Sequence, residues 1–471
     1  MTDSSPDKSE LGKNGVPARV GIPGRTPYSL DMLLPRMGQS RSAARQTKIR
    51  KSVIAASAAI MLFGPTAAVA NAEPAPALPA DLIAAVTRDL KISPEEYLRR
   101  ADLGQQVAAF AISAQRQYPQ VFGGAWLDDA GKAVVAVAQG PGAEEARKAA
   151  ESAGFDVRNV AKSEAALRGE KSAFERWLES QPEAVTALVR GAVIDTVNNS
   201  IAVRVDQAGL PMPSFVDPAR VIVMAPPVAG EQLPQGTAIA EGDNRAALAG
   251  GDGYASVGGG SQLRCSFGFN GTDRSGNVVN ISAGHCNPDI ASAGGSNAAT
   301  VHELLPQDRR GAQLGVFQKS VLGNQDYSII RINDSFADRF SNNSVRVPGV
   351  APIAVDGVAT PVVGAPVCKS GSRTGFSCGI VNAVDQTVQV GDRELTQSFS
   401  ANICALPGDS GGPIVTGRLA LGISSASSVA DYPICEIPNL IGALTGNTPQ
   451  LFAQPVSVVL SDNPGLRVRT N

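Results

Sequence analysis

The hexapeptide Gly408-Asp409-Ser410-Gly411-Gly412-Pro413 sets a serine on a glycine-rich turn between two strand-like runs. Glycine on both sides lets the backbone come close to a substrate, and it leaves the N–H groups of Gly408 and Ser410 able to hold a developing oxyanion. A serine hydroxyl is a weak nucleophile at neutral pH. Nucleophilic chemistry here therefore demands a base to take its proton and a carboxylate to orient that base. An ordinary turn can have the same composition, so the partners decide between the two readings.

The search for a base is short, because the chain holds only two histidines among 471 residues. His285 lies in Ser282-Ala283-Gly284-His285-Cys286, just after the strand-like run Val278–Ile281 and beside a cysteine that could pin the turn. His302, in Val301-His302-Glu303-Leu304, has no small residues around it and reads as a surface or packing histidine. Most of the 43 acidic residues read as solvated charges. Asp326 differs, since it opens the apolar run Asp326–Ile332 and would be buried at the start of a strand. A buried acid needs a partner, and an imidazole N–H would both satisfy it and fix the tautomer that accepts the serine proton.

The chain order His285, Asp326, Ser410 is that of chymotrypsin rather than that of subtilisin or the α/β-hydrolases. With SAGHC, DYSII, CKSGSRTGFSC, CALPGDSGGP and the terminal FAQPVSVVLSDNPGLRV in family order, residues 246–471 resemble the bacterial chymotrypsin-like serine proteases of the alpha-lytic protease and streptogrisin group. The resemblance implies two six-stranded antiparallel β-barrels, His285 and Asp326 coming from the first and Ser410 from the second. It also implies an oxyanion hole of Gly408 and Ser410, protein or peptide substrates, and no cofactor. Asp409, beside that hole, needs a neutralising cation. Bacterial relatives use an arginine in a CRSG-like string, and this chain has Lys369 in Cys368-Lys369-Ser370-Gly371, so an Asp409–Lys369 ion pair is expected.

All six cysteines lie in the C-terminal half, which suggests a disulfide-bonded domain in an oxidising compartment and leaves the pairing open. The resemblance selects Cys265 with Cys286, Cys368 with Cys378, and Cys404 with Cys435. Without a CxxC pair or an HExxH string, metal ligation is not expected. A formal net charge of -2 gives no basic field for nucleic acid or acidic lipid.

The folds needed to position these residues are legible upstream as well. Arg41, Arg45, Lys48, Arg50 and Lys51 precede the apolar run Val53–Phe63 and then Ala70-Asn71-Ala72, which reads as a signal peptide cleaved near Ala72, with Met37 a candidate start. The run is short for a spanning helix; an uncleaved membrane anchor is the alternative. Residues 1–72 are thus assigned as extension and signal, and 73–224 as an α+β module. The module has helices over Asp81–Leu90, Ser93–Gln117 and Ser163–Leu178, and hairpins around Asp128–Gly131 and Asn198-Asn199. Its position and strings such as FGGAWLDDAGKAVVAVA resemble the alpha-lytic type of pro-region, implying a folding chaperone and inhibitor of the protease. The Pro-, Gly- and Ala-rich stretch 225–249 reads as a linker, with processing expected near Ala246–Gly250. Residues 250–471 would be the protease domain, secreted to the medium or cell wall and monomeric when mature.

In the substrate cleft, Ser425-Ala426-Ser427 match the segment that pairs with substrate backbone, the first serine also bonding the aspartate. Ala426 and Ser427 stand where streptogrisins have glycine, which narrows the primary pocket, and Ala405, Leu406 and Pro407 make one wall apolar. The competing function class is a catalytically silent binding protein on the same fold.

Overall fold

The computed structural model describes residues 80–233, 246–349 and 351–471. The expected signal peptide and the middle of the expected linker lie outside the described residues.

The helix Pro94–Gln117 starts where the chain chemistry dictates. Ser93 accepts the Glu96 N–H at 3.2 Å, Pro94 occupies the first turn, and Glu95 and Glu96 face the positive end of the helix dipole. It ends at Tyr118, ahead of Pro119, whose ring disfavours helical geometry in the residue before it. Its buried face, Tyr97, Ala101, Gly104, Val107 and Ala108, recurs at helical spacing. The segment expected as one helix over Asp81–Leu90 is an α-helical turn to Ala85 continued as a π-helix over Val86–Leu90.

Two small sheets complete this α+β region. The hairpin Phe122–Leu127 with Ala133–Ala138 takes Asp156–Val160 as a parallel third strand, reached through the helix Ala143–Ser152. The hairpin Val189–Asp195 with Ser200–Val205 takes Val221–Val223 likewise, and the helix Glu164–Glu179 packs beside it.

The C-terminal half is mostly β. Its second sheet closes on itself: Pro366–Gly371, Gly375–Val390, Arg393–Ala401, Leu451–Pro455, Leu419–Ser427 and Pro413–Thr416 pair antiparallel in a ring, with Gly357–Val358 added in parallel outside it. This ring has the expected six strands. The first sheet runs through nine strands, because two-residue strands at Glu231–Gln232 and Arg467–Val468 extend its ends and Thr300–Leu305 pairs beside the long Arg309–Leu322. Phe267, Val279, Ile281, Phe317 and Ile330 fill it; Val367, Val381, Phe399, Ile414 and Leu421 fill the second.

The two halves share one interior. Leu82, Val86 and Tyr97 belong to the same buried cluster as the first barrel, and the Tyr97 hydroxyl accepts the Gly417 N–H at 2.9 Å. Asp89 accepts the Cys378 N–H at 2.9 Å, and Gln105 bonds Thr360 in both directions. Buried Arg204 bonds Gln386 and Ser400 and lies over the Phe452 ring, its centroid 5.2 Å away. Gly191, with φ +135°, brings the strand Val189–Asp195 so close to the hairpin of the second barrel that an added Cβ would stand 2.2 Å from the Thr387 carbonyl oxygen. Gly191→Ala is therefore expected to destabilise the full chain by about 1–3 kcal/mol in urea unfolding, by pushing these strands apart.

Candidate active site

The barrels bring the sequence-selected residues to one place. Asp326 opens the strand Asp326–Ile332, flanked by Val278–Ser282 and Arg309–Leu322. His285 sits on the single turn Gly284–Cys286 that follows Ser282. Asp326 Oδ1 accepts the backbone N–H of His285 at 2.9 Å and Oδ2 meets His285 Nδ1 at 2.7 Å. The carboxylate thus grips both the turn and the ring. Ser425 donates its hydroxyl to Oδ2 at 2.5 Å, and Gln454 Oε1 accepts the Asp326 N–H at 3.1 Å. Gln454 is a residue that sequence reasoning missed, although it lies within the quoted FAQPVSVVL string.

Asp326 is 3% exposed and His285 8%. Burial pushes the Asp326 carboxyl upward, but the His285 charge, the hydrogen bonds from its ring and backbone, and that from Ser425 outweigh it and hold the group at about 2. A carboxyl held below its ordinary 3.8 stabilises the fold fully above about pH 4, and that contribution is lost as pH falls through 2. His302 stands apart on the strand Thr300–Leu305, bonding Thr300 Oγ1 at 2.9 Å and the Gly311 carbonyl at 3.3 Å, with burial lowering its pKa.

Ser410 arrives from the second barrel, 7% exposed, its carbonyl accepting the Ser266 N–H at 2.8 Å beside the Cys265–Cys286 disulfide. Gly408 takes φ +102°, a left-handed conformation that glycine adopts readily. Within this turn the N–H groups of Asp409, Gly411 and Gly412 bond Leu406, Ser424 and Asp409 carbonyls. Those of Gly408 and Ser410 have no protein acceptor among the described residues. No hydrogen bond joins the Ser410 hydroxyl to His285 Nε2 in this state, and such bonds are often long before the reacting complex forms.

Asp409 turns inward, 1% exposed, to Lys369 Nζ at 3.2 Å, with Lys369 fully buried. Lysine gives a single point charge where arginine would give a fork. The remaining lone pairs are met by the N–H groups of Arg373, Thr374 and Leu406, at 3.0, 2.9 and 3.1 Å, and by the Thr374 hydroxyl at 2.5 Å. Sequence reading singled out the lysine and missed the threonine, though both stand in CKSGSRTGFSC.

Ala405, Leu406, Pro407, Ser425, Ala426 and Ser427 line one small pocket next to Ser410, whose free volume is about 10 Å³, room for about one water. The disulfides join Cys265 to Cys286, Cys368 to Cys378, and Cys404 to Cys435, the last tying the serine loop to the helix Glu436–Thr445. Among the described residues no helix is long and apolar enough to cross a membrane.

Two outcomes follow for stability. Lys369→Met leaves Asp409 buried without its cation and should cost about 3–5 kcal/mol in denaturant unfolding. Across pH 4 to 2, the loss of folding stability should be shallower in Asp326→Asn than in the parent, because the group that takes up the proton is gone.

The trypsin family model matches residues 268–445. Streptogrisin-C of Streptomyces griseus is 29% identical over 400 residues, which cover 82% of this chain and 79% of its own. Serine protease 2 of Streptomyces fradiae is 35% identical over 166 residues, 35% of this chain and 87% of its own. Glutamyl endopeptidase 2 of Streptomyces griseus is 34% identical over 169 residues, 36% of this chain and 81% of its own. Serine proteases of Streptomyces thus align with this chain over most of their own length, and the chain belongs to the trypsin family of serine endopeptidases, in its bacterial branch.

Proposed function

We propose that the chain is made as a secreted preproenzyme and cuts peptide bonds through an acyl-enzyme on Ser410. The observation that carries this reading is the double grip of buried Asp326 on His285, at 2.9 Å to the backbone and 2.7 Å to Nδ1. With Nδ1–H committed to the carboxylate, Nε2 is left as the acceptor for the serine proton.

Ser410 Oγ attacks the substrate carbonyl carbon as its proton passes to His285. Asp326 stays ionised and stabilises the imidazolium, and the N–H groups of Gly408 and Ser410 hold the oxyanion. His285 then protonates the leaving amine, and water, deprotonated by His285, hydrolyses the ester. The apolar wall of Ala405, Leu406 and Pro407, with Ala426 and Ser427 crowding the pocket, favours a small neutral side chain before the cut.

Residues 73–224 act in this reading as a pro-region that templates and inhibits the protease. The alignment with Streptogrisin-C, at 400 residues, runs well past the protease part. The bonds from Tyr97, Asp89, Gln105 and Arg204 give the region a docked surface on the barrels. A β fold rich in long-range pairings folds slowly, and a template that holds its second barrel lowers that barrier.

Ser410→Ala should lower turnover on a casein-type substrate about 10^6-fold, and a serine-directed phosphonate should label the mature parent but not the variant. Normal hydrolysis by the variant would reject Ser410 as nucleophile.

A further inference from the structure

Residues expected to be a loose linker are threaded through the cleft. The Val228 N–H donates to the Ser427 carbonyl at 3.0 Å, and the Ser427 N–H returns a bond to Val228 at 3.0 Å. This is an antiparallel pair on the strand that Ser425-Ala426-Ser427 were expected to offer a substrate. Two residues on, Gly230 lines the pocket with Leu406, Pro407 and Ser410, and a Cβ placed on it would lie 3.6 Å from His285 Cδ2. Beyond Gly230 the chain pairs again, Glu231 and Gln232 opposite Arg264 and Leu263, and the Leu233 N–H donates to Gln262 at 2.9 Å.

The backbone is thus paired on both flanks of Gly230, by an isolated bridge to the second barrel before it and by a two-residue strand on the first barrel after it. We propose that Gly230–Glu231 is a peptide bond the chain cuts in itself, in cis, as its first maturation step. The inference rests on the reading of Ser410 as nucleophile.

The region where processing was expected is differently placed. Leu248 is buried, its N–H donating to Arg339 at 2.8 Å. Gly250 donates to Ser344 at 2.9 Å, and Arg339 Nε holds the Ala246 carbonyl at 2.6 Å. These residues are already built into the first barrel, so a cut there requires them to be withdrawn from it. The bond in the cleft requires no such unfolding.

The geometry also holds a brake. Gly230 takes φ +89°, open to glycine at little cost, and its carbonyl bonds neither the Gly408 nor the Ser410 N–H. Rotation at this glycine must present the carbonyl before attack. Ser410 Oγ then adds to the Gly230 carbonyl carbon, its proton moving to His285. The C–N bond to Glu231 breaks, and the Glu231 amine leaves with that proton. Water gives a proton to His285 and its hydroxide to the ester, releasing the Gly230 carboxylate as Ser410 regains its proton.

The test follows the full chain and Ser410→Ala after refolding from denaturant, reading fragment masses and new N-termini at the earliest times. The proposal expects an N-terminal fragment ending at Gly230 and a partner beginning at Glu231. The rate should be unchanged over a tenfold dilution, and Ser410→Ala should stay whole. Cuts that depend on Ser410 but fall first at Ala246–Gly250, or a rate proportional to concentration, would overturn the proposal while leaving Ser410 as nucleophile. Fragments that form equally in Ser410→Ala would overturn both readings, and a parent chain that is never cut would overturn this one.

Discussion

A carboxylate that is removed from water and must nevertheless stay charged is the constraint around which the site is built. Asp326 is 3% exposed, and an uncompensated charge at that depth is far costlier than the fold can bear. It is met by three donors, the His285 backbone, the His285 ring and the Ser425 hydroxyl, while its own backbone N–H is anchored on Gln454 Oε1. Of these residues His285 belongs to the first barrel, and Ser425 and Gln454 belong to the second. Satisfying one buried acid therefore sets the relative placement of the barrels that carry the base and the nucleophile.

Asp409 repeats the logic in the residue next to Ser410. Its charge is neutralised by buried Lys369 and its lone pairs by three backbone N–H groups and Thr374. This holds the carboxylate away from the neighbouring Gly408 and Ser410 N–H groups, which have no protein acceptor among the described residues. The substrate-like segment Val228–Gln232 belongs to the same design, since the cleft that must recognise substrate backbone is filled by the chain's own.

Much of this was legible because the chemistry is local in sequence. The glycines around Ser410, the small residues before His285 and the acid heading an apolar strand each declare a turn or a burial within a few residues. The Ser93 cap and the Asn198-Asn199 turn declared their elements in the same way. What was not legible depends on contacts across the chain. Pro-, Gly- and Ala-rich 225–249 has linker composition, and nothing local tells that Val228 pairs with Ser427 or that Glu231 pairs with Arg264. Thr374 and Gln454 are ordinary residues by composition, and only the fold sets them against Asp409 and Asp326. The π-helical turn Val86–Leu90 is likewise a tertiary outcome, with Val86 wholly buried in the barrel core and Asp89 bonded to the Cys378 backbone.

The whole site turns on Asp326 fixing the tautomer of His285. With two histidines in the chain, a nitrogen-15 NMR spectrum of the ring nitrogens can be assigned by comparison with His302→Gln. It can be recorded on the uncut Ser410→Ala chain at a pH where His285 is neutral. The 2.7 Å contact with Asp326 predicts a proton on Nδ1 and a bare Nε2. A proton on Nε2 would leave His285 unable to accept from Ser410 and would contradict it.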